Sequence, residues 1–133
     1  MRNLLFVFSV VIIAAACSLN MAMQQDFAKS SEDYNRSLRW GEFEKASLYV
    51  PESGFDAFMK KVSRSKDVKV VDLRTLRINF DKEKGEAKVR VEIDYYRLPS
   101  MKVKTLIDTQ KWMYVEEKGE KIWRLVTMLP DFK

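Results

Sequence analysis

Near Asp67 the spacing of apolar residues changes from threes and fours to twos, which limits the folds open to this 133-residue chain. From Asp26 to Val50 the pattern is helical, with Phe27, Tyr34 and Leu38 on one face. Gly41 interrupts beside Trp40. Phe43, Ala46 and Tyr49 then resume the stripe as far as Pro51, which disfavours helix at Val50. The spacing predicts a long helix, a break near Gly41 and a short second piece. Ser53 is placed to cap a third helix carrying Phe55, Phe58, Met59 and Val62 on one face. Polar Ser63-Arg-Ser-Lys-Asp67 closes this half.

Four strands are expected beyond it. Ala87, Val89, Val91, Ile93 and Tyr95 alternate with Lys88, Arg90, Glu92 and Asp94, the pattern of a half-buried antiparallel strand. In Val68–Phe80 the phase slips between Leu73 and Leu76, which predicts a bulge near Arg74-Thr75. Thr105–Glu116 and Ile122–Leu129 contain Trp112-Met-Tyr-Val115 and Trp123-Arg-Leu-Val126, apolar on nearly both faces and so expected centrally in the sheet. The word Glu-Lys-Gly-Glu occurs at 83–86 and again at 117–120, each time with a Gly suited to a tight hairpin. Leu98-Pro-Ser100 supplies the remaining turn. The expected class is α+β: N-terminal helices on one face of a curved four-stranded antiparallel meander.

The first residues read as an address. Arg2, the ten-residue apolar run Leu4–Ile13 and the small Ala14-Ala-Ala16 follow the three-part pattern of a secretory signal. That run is shorter than the roughly 20 residues a membrane-spanning helix needs. Ile13-Ala-Ala-Ala-Cys17 resembles a bacterial lipobox, with Ala14 where Leu is commonest. The resemblance implies cleavage before Cys17 and acylation of its thiol by palmitate-type chains. Cys17 is the single cysteine, so no internal disulfide can form, and acylation would consume a thiol otherwise exposed to an oxidising compartment. The expected organisation is therefore a removed signal over 1–16, a lipidated cysteine and tether over 17–25, and one domain over 26–133. The expected location is the bacterial envelope, lipid-anchored and facing the periplasm. Ser18, standing where an Asp would mark inner-membrane retention, implies the outer membrane by the same resemblance.

Composition removes several chemistries. The chain has no histidine, which excludes the commonest general base and the Ser–His and Cys–His nucleophile pairs. With the one cysteine assigned to lipid, no transition-metal site is expected. The four glycines are scattered and form no phosphate loop, so no cofactor is expected. The net charge of +5 is spread in alternating signs without a basic arm, which argues against nucleic acid. Glu92 and Asp94 share a strand face as possible bases, but Lys88 and Arg90 lie on that face and are expected to pair with them.

Tyr34-Asn-Arg-Ser-Leu-Arg-Trp-Gly-Glu-Phe-Glu-Lys-Ala-Ser-Leu48 resembles the opening of the nuclear-transport-factor-2-like superfamily (SnoaL-like, cystatin-like cones). Lys121-Ile-Trp-Arg-Leu-Val126 is similar to that superfamily's penultimate strand. The resemblance covers roughly residues 26–130 and implies a cone-shaped α+β domain. Some members are isomerases or cyclases, but none of their catalytic positions can be matched to residues here. Trp40, Tyr96, Trp112 and Tyr114 are candidates to line a pocket for an apolar ligand, and core filling is the other role open to such aromatics. The expected function is a non-catalytic binding or accessory module of the envelope, with an envelope protein as partner. The alternative is a cone-pocket protein that binds or transforms a small hydrophobic molecule.

Overall fold

The computed structural model describes the backbone of residues 2–133 and the side chains of residues 18–133. Cys17, the expected lipid-attachment site, lies outside the described side chains. The element order is α1 (Arg2–Arg39), α2 (Phe43–Ala46), a 3-10 turn (Ser47–Tyr49), α3 (Glu52–Ser63), then β1 (Val68–Asp81), β2 (Glu86–Arg97), β3 (Lys104–Glu117) and β4 (Glu120–Leu125). The four strands form one antiparallel sheet in the order β1-β2-β3-β4, as the meander pattern requires.

The period-two residues of β2 mark the sheet's inner face. Ala87, Val89, Val91, Ile93 and Tyr95 are all buried. Their register partners on β3 include Trp112, Gln110, Asp108 and Leu106. Against this face α1 lays Phe27, Tyr34 and Leu38, the expected stripe, all buried. Aromatic rings fill the space between the layers. Phe27 stands 5.1 Å from Trp123, Tyr34 meets Trp112 edge-on at 5.6 Å, and Tyr95 meets Phe132 at 5.0 Å. Edge-on and tilted contacts at these separations suit the ring quadrupoles. The Trp123 indole nitrogen donates to the Met23 carbonyl at 3.0 Å, so its burial strands no donor.

Gly41 ends α1 with φ +70°, where a side chain would be strained. Gly85 and Gly119 hold φ +63° and +80° in the two repeated turns, as hairpin chemistry demands.

Several details differ from the reading of the sequence. α3 starts at Glu52 behind Pro51 (φ −65°, ψ 153°), not behind Ser53. Proline's fixed φ suits the approach to a helix, and no side-chain cap is made. Phe55 consequently faces outward while Phe58 and Val62 are buried. The expected slip near Arg74-Thr75 is present between Thr75 and Arg77, with Leu76 the bulge residue, but β1 carries a second one at Val71, between Val70 and Asp72. β3 is central, as its apolar run implied, but β4 is an edge strand. The apolar run at 122–129 extends past the strand: residues 126–133 are irregular, and they return Leu129 and Phe132 to the core. Residues 18–25, expected as a tether, are helical and continuous with α1.

Candidate functional site

Counting back in twos from Trp112 along β3 places Gln110 and Asp108 on the inner face, and both are buried. They are the buried polar residues of the sheet's inner face. α1 meets them with Asn35, beside Tyr34 on the same helical face and one turn beyond Ser31. Asn35 and Gln110 form a reciprocal amide pair. Asn35 Nδ2 donates to Gln110 Oε1 at 3.2 Å, and Gln110 Nε2 donates to Asn35 Oδ1 at 2.7 Å. The second hydrogen on each amide is also engaged, from Asn35 to the Ser31 carbonyl at 2.9 Å and from Gln110 to Asp108 Oδ2 at 3.0 Å. The Trp112 indole nitrogen adds a 3.4 Å contact to Gln110 Oε1. Every amide hydrogen of the pair therefore has a partner. Such a network fixes helix against sheet without the penalty of a stranded polar group.

Asp108 is the unusual member. Burial pushes its carboxyl up to about 6, opposed by the Gln110 hydrogen bond and the charge of Lys61. Lys61 itself is engaged by Asp131 at 2.7 Å and by the Leu129 carbonyl at 3.2 Å. Beside this group the Tyr34 hydroxyl is fully buried without a hydrogen-bond partner. Burial, and then the charge of Asp108, raise its pKa well above the ordinary phenol range.

The chain of polar groups ends at a groove of about 410 Å³ between α1 and β1. Asn35, Arg36 and Arg39 line one side and Leu73, Thr75 and Ile78 the other. The groove exists because α1 does not cover β1 at this level. Ile78 is 55% exposed although its register partner Val89 is fully buried. Asn35 closes the inner end of the groove, and both of its amide hydrogens are already used, so it offers no free N–H to an incoming ligand.

The aromatics singled out from the sequence do not line one cavity. Trp112 is fully buried in the core, and Tyr114 stacks on Trp123 at 5.0 Å on the same inner face. Trp40 is 68% exposed at the end of α1, with the Arg39 guanidinium 4.8 Å from its ring centre. Tyr96 lies on the outer face of β2, paired in register with Lys69. Glu92 and Asp94 sit on that outer face in an ion-pair cluster, but their partner is Arg74 and not Lys88 or Arg90. Arg74 contacts Asp72 at 2.6 Å, Asp94 at 3.0 Å and Glu92 at 3.1 Å, and these contacts hold the Asp94 carboxyl below its ordinary range. Thr105 adds a 2.6 Å hydrogen bond to Asp94. A carboxylate held this way stays ionised and is a poor general base. Asp108, Gln110 and Asn35 were missed. The signal for the first two was present in their even spacing from Trp112. For Asn35 it lay in its position between Tyr34 and Leu38.

Among the described residues, no group of three or more potential metal ligands is present. None of the described helices is long and apolar enough to cross a membrane.

No family model and no curated protein matches the chain. Solved structures match its fold, among them the following two. A SEC-C motif containing protein from Rhodopseudomonas palustris aligns at TM-score 0.51 and 11% identity, over 68% of this chain and 66% of its own, so this chain spans just under two thirds of it. A proposed polyketide cyclase from Xanthomonas campestris aligns at TM-score 0.50 and 12% identity, over 77% of this chain and 90% of its own. At such identities the likeness is one of fold alone. The domain is α+β, with its helices on one face of a four-stranded antiparallel sheet, and that fold is what it shares with the two structures.

Proposed function

We propose that the chain is an exported lipoprotein, anchored through Cys17, whose domain is a non-catalytic binding or accessory module of the bacterial envelope. The observation that carries the non-catalytic part is the filled cone. Trp112, Trp123, Tyr34, Phe58, Leu38 and Ile93 are essentially inaccessible to solvent and occupy the space a substrate would need. Asp108 is the inward carboxylate, and it is 7% exposed. A general base must come within hydrogen-bond reach of the proton it takes, and Asp108 reaches only its own scaffold.

The anchor reading draws support from the lipobox-like Ile13–Cys17 and the lone cysteine. The helix sets how far such an anchor would stand from the core. Among the described residues, the first of α1 packed on the core is Met23, six positions after Cys17. Six helical residues span about 9 Å. An acylated Cys17 would therefore hold the domain almost against its bilayer, with the outer membrane the expected one.

Crosslinking in intact envelopes, comparing wild type with Cys17→Ala, tests the accessory role. The proposal expects specific envelope proteins crosslinked to the wild-type domain and lost with the variant at equal protein level. Equal crosslinking patterns for both forms, or none for either, would sink it.

A further inference from the structure

The two ends of the sheet differ in chemistry. At one end lie both hairpins and the first core-packed turn of α1: Tyr114 N–H donates to the Gly85 carbonyl at 2.8 Å, and Trp123 reaches Met23. The opposite end is built from the terminus of α1, the 64–69 turn and the β2–β3 connection. Leu98 N–H donates to the Asp67 carbonyl at 2.9 Å, and Arg97 reaches the Arg64 carbonyl at 3.0 Å. β2 runs between the two ends with 12 residues, or about 40 Å at roughly 3.3 Å per residue.

That second pole is both basic and apolar. Residues 39–44, 64–69 and 97–104 contain seven Arg or Lys against three Asp or Glu, four of the chain's net +5. One of the three acids, Asp67, is neutralised by Arg97 at 2.6 Å. Lys66, Lys69, Lys102 and Lys104 are all exposed. Among them the connection raises apolar side chains into solvent: Leu98 is 42% exposed, Val103 53% and Met101 72%. Nearby, Trp40 is 68% exposed.

We propose that this pole is a peripheral docking site for an anionic lipid bilayer. Leu98, Met101 and Val103 enter the interfacial region while the flanking lysines meet lipid phosphates. Charge complementarity selects an acidic surface, because basic residues beside a bilayer are attracted to its anionic headgroups. The shape selects lipid over an acidic protein. The apolar groups stand on a projecting connection with Lys102 and Lys104 interleaved, whereas a protein interface needs a matched surface of about 800 Å² on each partner. A fluid interface accepts isolated apolar tips, and lysine stems can lie along it with their charges in the headgroup layer. This inference does not rest on the Cys17 anchor. With the anchor at the other pole, the domain would bridge two bilayers.

The test uses the full chain. It is incorporated into phosphatidylcholine vesicles, and flotation first reports whether its N-terminal segment holds it there. If it does not float, an N-terminal histidine tag on nickel-chelating lipid takes over that task, which separates failure of the anchor from failure of the pole. Fluorescent vesicles of 30% phosphatidylglycerol, or of phosphatidylcholine alone, are then offered. The proposal expects at least about tenfold more capture of the anionic vesicles. It also expects loss of that capture with Lys102→Glu/Lys104→Glu and with Met101→Asp/Val103→Asp, and suppression by 0.5 M salt. Met101, Lys102 and Val103 lie on the exposed connection and Lys104 is the exposed first residue of β3, and unchanged melting shows that both variants fold. Equal capture of neutral and anionic vesicles, or full capture by either folded variant, overturns the proposal. Binding of the pole to an acidic polypeptide without anionic-vesicle capture would overturn it in favour of a protein partner.

Discussion

Replacing Asp108 with Asn should stabilise the protein at pH 8 and flatten its stability between about pH 4 and 6. Burial raises the Asp108 carboxyl from 3.8 to about 6 in the folded state. The ionised form is therefore the one folding disfavours. The linked stability is fully present below the unfolded value near 4 and is lost as pH rises through about 6. A shift of this size corresponds to about 3 kcal/mol, at about 1.36 kcal/mol per unit. Asn cannot ionise, and its side-chain oxygen can still accept from Gln110 Nε2. Urea unfolding at pH 4.5, 6 and 8 measures it. Wild type should weaken across the series while Asp108→Asn stays level and exceeds it at pH 8. Parallel curves for the two proteins would show that Asp108 is not desolvated in solution.

Trp112→Ala carries the largest expected loss, about 3–5 kcal/mol. Trp112 is fully buried, with Tyr34 5.6 Å and Tyr49 6.3 Å from its ring. The removed indole would leave a hole lined by those rings. Its nitrogen contacts only Gln110 Oε1, which keeps the Asn35 hydrogen bond, so little of the loss is electrostatic. A dry apolar cavity of this kind should take up a small aromatic solute. Thermal melting with and without millimolar indole measures both effects. The filled-cone account expects a lower melting temperature for Trp112→Ala, partly restored by indole, and no indole response in wild type. An indole response in wild type would mean that the cone is already open to apolar ligands.

The cone was legible because its signals are local. Phe27, Tyr34 and Leu38 declare the buried face of α1 within twelve residues, and the alternation from Ala87 to Tyr95 declares β2 by itself. The paired Gly85 and Gly119 turns follow from their own backbone requirements. What escaped the sequence depends on contacts between distant segments. Asn35 and Gln110 meet across 75 positions, and nothing near either residue names the other. The edge position of β4 was hidden because its apolar run continues into the irregular 126–133 segment, whose Leu129 and Phe132 are buried. Residues 18–25 lack an apolar period, yet they are helical as a continuation of α1, and Met23 packs on the core. For the outer-face carboxylates the ion pairing was expected, but the partner was not. Register places Arg74 of β1 directly across from Glu92, and that register is set by the Val71 and Leu76 bulges.

The envelope role rests on the anchor, so acylation of Cys17 is the first thing to establish. Cells fed alkynyl-palmitate would express the full chain and its Cys17→Ser variant, with label read by fluorophore coupling and location by membrane fractionation. The account predicts a labelled wild-type chain in the outer-membrane fraction and an unlabelled variant released from it. A wild-type chain recovered without label, or equal label on Cys17→Ser, would contradict it.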